Sequence, residues 1–204
     1  MVHSPSTVEA VAIPVNGAQL RGDLVVPQEP LGVVAFAHGS GSSRLSQRNL
    51  YVAAALQQAS LATLLLDLQA AAETRSLVAA IDWCADQERL RHLPVGLYGA
   101  STGAAAALEA AVARPGQVGA VVSRGGRPDL AFEALGLVRC PTLLIVGSHD
   151  VDVLELNAWA AAHLRAVHDL LVVAGAGHLF SEPGTLEQVA QASRDWFLEQ
   201  LARQ

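Results

Sequence analysis

Two stretches of this chain, Leu31–Ala37 (LGVVAFA) and Leu61–Leu68 (LATLLLDL), are apolar almost residue after residue. A half-buried strand alternates apolar and polar side chains, so a run without that alternation has no face to show to water and must be covered on both. Strands of that kind belong to parallel sheets, whose connections must be long enough to hold a helix. The rest of the chain supplies those connections. A helical segment from about Ser46 to Ser60 lies between the two runs, and a second, Glu73 to about Leu90, precedes the strand-like PVGLYG that begins at Pro94. A helix-forming run from Thr102 to about Arg114 ends at Pro115-Gly116, as expected of a helix stop. Further strands are predicted over Gln117–Ser123, Thr142–Gly147 and His168–Ala174, with a loop and short helix across Arg124–Arg139. Helices follow over Val153–Val167 and from about Gly184 to Leu201, the last with Leu186, Val189, Ala190, Ser193, Phe197 and Leu201 along one side. Ahead of all this, Thr7–Pro14 and Ala18–Pro27 flank Asn16-Gly17, a hairpin signature. The pattern predicts α/β architecture: a doubly wound, mostly parallel sheet of about eight strands flanked by helices, with residues 1–204 as one domain. With 51% of residues apolar, such a domain can fill a core without disulfides.

All 13 basic residues are arginine. The absence of lysine removes Schiff-base chemistry, the P-loop lysine and Ser-Lys dyads. A net charge of -6 with no dense arginine cluster argues against a nucleic-acid partner. Cys84 and Cys140 are far apart and outside any C-x-x-C spacing, so they are expected to be buried thiols of a cytoplasmic protein, with no metal. The start, MVHSPSTVEAV, lacks the basic and apolar regions of a signal peptide, and no run is long enough to predict a membrane span or a membrane partner.

In doubly wound sheets the ligand site lies beyond the carboxyl ends of the strands. His38-Gly39-Ser40-Gly41, Ser101, Arg124, His149-Asp150 and Gly175–His178 each follow directly on a predicted strand. Gly99-Ala100-Ser101-Thr102-Gly103 has the G-x-S-x-G form, in which a serine sits on a strained strand-to-helix turn. Serine needs a base to take its proton, and imidazole suits that work near neutrality. His178, on the glycine-containing loop AGAGH after the final strand, is the expected base; His149 stands on a comparable loop. Asp150 is the expected carboxylate to orient the imidazole, with Asp152 two residues on, and a helix N-cap is the structural alternative for either. Backbone N–H groups of Thr102 and Ser40 are the expected oxyanion donors. Arg124, Arg127, Arg44 and Arg48 are candidates to pair with a substrate carboxylate through the guanidinium fork, the alternative being surface ion pairs such as one with Asp129. His38 in the glycine turn and Phe180 and Tyr98 near the sheet end are further candidate pocket residues, with scaffold or core roles as their alternatives.

The blocks HGSGSSRLSQRN, GASTG, VVSRGGRPDLA, PTLLIVGSHDVDVLELN and GAGHLF, in that order, resemble the α/β-hydrolase family and, more narrowly, its dienelactone-hydrolase-like members. The resemblance runs from about residue 31 to 198. It implies the α/β-hydrolase fold, a triad of Ser101, Asp150 and His178, and hydrolysis of esters or lactones without a cofactor. The namesake enzymes carry cysteine in the elbow where this chain has Ser101, and Leu68–Arg75 is shorter than expected in the group. Arg124–Arg139 leaves no room for a lid domain, so an open site and short acyl groups are expected. The partner is a small-molecule ester or lactone, and an exposed edge strand or helix offers a surface for a homodimer. A non-catalytic binding module on the same fold, transfer to an acceptor other than water, and carbon-carbon bond hydrolysis are the alternatives that the residues leave open.

Overall fold

The computed structural model describes residues 7–69 and 72–203. Strands β1 (Glu9–Val15) and β2 (Ala18–Val25) form the hairpin, and Asn16 and Gly17 both take the positive φ, 46° and 81°, that a tight two-residue turn demands. Six further strands follow: β3 (Gly32–Ala37), β4 (Leu61–Leu66), β5 (Val95–Ala100), β6 (Val118–Arg124), β7 (Thr142–Gly147) and β8 (His168–Val173). They join β1 and β2 in one eight-stranded sheet of order β1-β2-β4-β3-β5-β6-β7-β8. The pairings β1–β2 and β2–β4 are antiparallel and all others parallel. This is the α/β-hydrolase fold, with no lid evident among the described residues.

The helices α1 (Gln47–Gln58), α2 (Glu73–Asp86), α3 (Gly103–Ala113), α4 (Phe132–Leu135), α5 (Val151–His163) and α6 (Thr185–Leu201) cover both faces. On β3 the side chains of Val33, Ala35 and Ala37 enter the core shared with α2, α3, α4 and α5, while Val34 and Phe36 enter the core shared with α1 and α6. That two-residue alternation between equally apolar layers is why the strand reads as unbroken apolar sequence. Burying Val189, Phe197 and Leu201 of α6 contributes roughly 1.5–3 kcal/mol per side chain, which fixes the last helix on the sheet.

Helix boundaries differ from the sequence expectation at the end of α2 and at both ends of α5, which stops at His163 rather than Val167. Helix α2 stops at Asp86 rather than near Leu90, because Leu90 reaches the core from a turn in which its N–H donates to Gln87 O at 2.9 Å. Helix α5 begins at Val151, so Asp152 falls in its first turn, where a carboxylate meets the positive end of the helix dipole. Asp150 is left as the residue at the N-cap. The segment Leu68–Arg75, expected to be short, includes Ala70 and Ala71, which lie outside the described residues.

Candidate active site

Ser101 directly follows β5 and has φ of +52°, a conformation that costs a non-glycine residue about 1–3 kcal/mol and persists only when its surroundings impose it. The surroundings are visible in its backbone bonds. Ser101 N–H donates to Arg124 O at 3.2 Å, and Ser101 O accepts from Ala104 N–H at 3.1 Å and Arg127 N–H at 3.0 Å. The end of β6 therefore holds the turn on both sides. The flanking glycines allow the strand and helix to approach: a Cβ on Gly99 would stand 2.5 Å from Ala104 Cα, and one on Gly103 only 2.4 Å from Ala37 O. The five-residue motif thus reads out as geometry: Gly99 and Gly103, which have no side chains, let strand and helix close around a half-buried serine at the turn.

Two more loops arrive at the same rim. Asp150, despite its N-cap position, makes no capping bond; its Oδ2 accepts from His178 Nδ1 at 2.6 Å. The side chain of Asp150 is 15% exposed and that of His178 39%, so the carboxylate is sheltered while the ring reaches solvent. Asp152 is exposed on the first turn of α5. The loops carrying the pair are joined by backbone bonds from Ser148 N–H to Val173 O at 3.0 Å and from His149 N–H to Ala176 O at 2.9 Å. Gly125, next to the residue whose carbonyl holds Ser101, packs against the imidazole: a Cβ there would be 3.6 Å from His178 Cε1. Gly39 approaches from the other side, its Cβ position 3.5 Å from Ser101 Oγ. The β3 exit, the elbow, the β6 exit and the His178 loop thus meet.

The expected pocket residues sort differently. Arg124 shares a strand face with Ala120 and Val122 and is only 5% exposed. Its Nη2 donates to Asn49 Oδ1 at 3.0 Å, and its Cζ lies 6.0 Å from the centre of the Phe180 ring. It braces the layer beneath the rim and does not present a fork to solvent. Phe180 is itself core, 2% exposed. Arg44 is held by Asp23 Oδ2 at 3.0 Å and Asp67 Oδ2 at 2.5 Å, pinning its loop to β2 and the β4 exit. Both acids keep its guanidinium firmly protonated. His38 is buried; Leu68 N–H donates to its Nε2 at 2.9 Å, so its proton sits on Nδ1 and points to Gly39 O. These four candidates are scaffold, because each has already found protein partners. Arg127 pairs with Asp129, and the guanidinium draws that carboxyl below its ordinary range. Tyr98 stacks on Phe36 in the core with ring centres 4.7 Å apart, and burial pushes its phenol up.

Sequence reasoning passed over two polar groups. Asn157 is fully buried on α5 and donates to Gly126 O at 2.9 Å and Val153 O at 2.8 Å, tying the β6 exit to that helix. An amide three residues before Ala160, on the buried side of α5, is the signal that marks it. The second is the hydroxyl of Thr102, which accepts from Ser40 N–H at 2.9 Å. Beside these residues an open groove of about 430 Å³ runs past Ser40, Thr102, Ala105, Thr74, Arg75 and Leu130. Among the described residues no three His, Cys, Asp or Glu side chains gather as a metal site would require, and no helix is long and apolar enough to cross a membrane.

No protein-family model matches the chain. The crystal structure of dienelactone hydrolase from Anabaena variabilis is similar over 97% of this chain and 100% of its own, at 47% identity and a TM-score of 0.94. An esterase from Pyrococcus furiosus shares the fold at 17% identity and a TM-score of 0.79, over 96% of this chain and 92% of its own. Proteins from two strains of Mycobacterium tuberculosis, provisionally named phosphoribosyl transferases, are 53% identical over 97% of this chain but 47% of their own length. The chain spans about half the length of those curated relatives.

Proposed function

Because the chain belongs to the dienelactone hydrolase family of α/β hydrolases, we propose that it cleaves small carboxylic esters or lactones through an acyl-enzyme on Ser101. One observation carries this reading: the 2.6 Å bond from His178 Nδ1–H to Asp150 Oδ2. With the proton on Nδ1, Nε2 keeps its lone pair and can accept a proton from a hydroxyl. In the proposed reaction Nε2 takes the Ser101 proton as Oγ attacks the substrate carbonyl. The N–H groups of Thr102 and Ser40 hold the resulting oxyanion. The imidazolium returns the proton to the departing alkoxide, and water, deprotonated by the same ring, then releases the acid. A lactone opens by the same steps with the leaving group still tethered.

The short Arg124–Arg139 connection, built as a 3-10 turn over Pro128–Ala131 and the four-residue α4, supports short acyl groups. Each further buried methylene would add only about 0.8 kcal/mol, and here little wall exists to bury it. The two buried free thiols fit a cytoplasmic setting. Phosphoribosyl transfer is the name of proteins twice this length, and the His178–Asp150 pair beside the Ser101 elbow favours hydrolysis for the half that matches. Ser101→Ala should abolish turnover of a short p-nitrophenyl ester and labelling by a fluorophosphonate probe. Retained turnover in that variant, or an unlabelled wild type, would remove the nucleophile from this account.

A further inference from the structure

Thr102 holds the N-cap position of α3, where a threonine hydroxyl ordinarily accepts from an N–H of the first helical turn. Here it makes no such bond. The reason lies in the elbow: Ala104 N–H already donates to Ser101 O and Ala105 N–H to Thr102 O, both at 3.1 Å. With those donors occupied, the hydroxyl turns across the rim instead. Its Oγ1 accepts from Ser40 N–H at 2.9 Å and lies 3.1 Å from Ser40 Oγ, linking loops 62 residues apart in sequence. An oxyanion must sit about 2.7–3.1 Å from each of its donors. With respect to the Ser40 amide, Thr102 Oγ1 stands at that distance.

We propose that the Thr102 hydroxyl is a stand-in for the substrate's carbonyl oxygen, keeping the Ser40 N–H aimed at the rim until an ester displaces it. The inference rests on the hydrolase reading above and assigns to a side chain a second role in a site where only its backbone was expected to act. The displacement is a rotation about the Thr102 Cα–Cβ bond. It exchanges the Ser40 N–H···Oγ1 bond for one to the carbonyl, with no covalent change. Substrate therefore competes with the protein's own hydroxyl for one of its two oxyanion donors. The competition is uniform, present in the ground state and the transition state alike, so it weighs on KM and leaves kcat little altered.

Thr102→Ala removes the competitor and leaves water in its place. Given the usual net worth of an intramolecular hydrogen bond, kcat/KM for a short neutral ester should rise about fivefold, chiefly through a lower KM. Thr102→Ser restores the acceptor and should give back most of that gain. Amide hydrogen exchange at Ser40, followed by NMR, should quicken in Thr102→Ala and slow again in Thr102→Ser. An active wild type whose Thr102→Ala variant is slower, or no faster, overturns the stand-in; a slower variant would mean that the hydroxyl helps the reaction. A wild type inert toward every ester tested overturns the hydrolase reading and this inference with it. Unchanged exchange at Ser40 would show that the bond does not form in solution, which also ends the proposal.

Discussion

Asp150→Asn tests the arrangement at the point where the wild-type side chain can only accept and the variant can also donate. Asp150 Oδ2 accepts from His178 Nδ1 at 2.6 Å, within a sheltered carboxylate that is 15% exposed. That bond fixes the tautomer. Asparagine keeps the shape, but its amide NH2 can donate to Nδ1, which then moves the ring proton to Nε2 and takes away the base. The imidazolium formed during the reaction also loses its anion, at a separation where charge-assisted bonds are strongest. Together these effects should lower kcat by about 10³- to 10⁴-fold, or about 4–5.5 kcal/mol of transition-state stabilisation, with KM little moved. The assay is p-nitrophenyl acetate turnover near neutral pH, alongside thermal unfolding of the same variant. Because the substitution is nearly isosteric, the melting temperature should shift by only a few degrees. Asp152→Asn is the paired measurement, since Asp152 is exposed on the first turn of α5 and should tolerate the change. If Asp150→Asn stayed within tenfold of wild type while Asp152→Asn collapsed, the carboxylate would have been misassigned.

Two further predictions follow from packing. Gly103→Ala would place a Cβ 2.4 Å from Ala37 O and 2.7 Å from His38 O, both backbone atoms that cannot turn aside. It should cost about 3 kcal/mol or more, read as a lowered denaturation midpoint, and unchanged stability would show that the elbow and the β3 exit can separate. Burial pushes the thiol of Cys84 up to about 12 and that of Cys140 up to about 11. Both should stay protonated and unreactive toward Ellman's reagent at mildly alkaline pH until the protein is unfolded, whereas rapid titration of the native protein would show that those core regions open readily.

Most of the architecture was legible because burial on both faces leaves so plain a mark. The apolar runs Leu31–Ala37 and Leu61–Leu68 read as strands covered on both faces, and the glycines flanking Ser101 point to a close approach of strand and helix. Where the pocket candidates point was not legible, for one physical reason. Arg44, Arg124, His38 and Phe180 all lie at the correct end of the sheet, but lying at a strand's carboxyl end does not say which way a side chain points. At the end of β6 that direction is a matter of parity. Arg124 falls on the same face as Ala120 and Val122, and so goes down toward α1 and Asn49. Ser123, one residue earlier, goes to the opposite layer, beside Ala104 of α3. Sequence gives the alternation but not which layer holds α1, because with right-handed crossovers that depends on the order of the strands in the sheet, where β4 and β5 lie on opposite sides of β3.

The same reasoning separates what backbone motifs can reveal from what they cannot. The G-x-S-x-G pattern specifies a turn, and the turn specifies where the amide of Thr102 lies whatever its side chain is. The hydroxyl answers to a different constraint: the tight bonds from Ala104 and Ala105 to the elbow carbonyls use up the donors it would have capped. A strained turn therefore does two things at once. It sets the half-buried serine at the end of β5, and it releases the next residue's side chain from the helix to reach Ser40 across the rim. In a chain with alanine after the serine the first consequence would remain and the second would vanish, so the residue after the elbow serine decides whether a side-chain bond ties the β3 exit to the elbow.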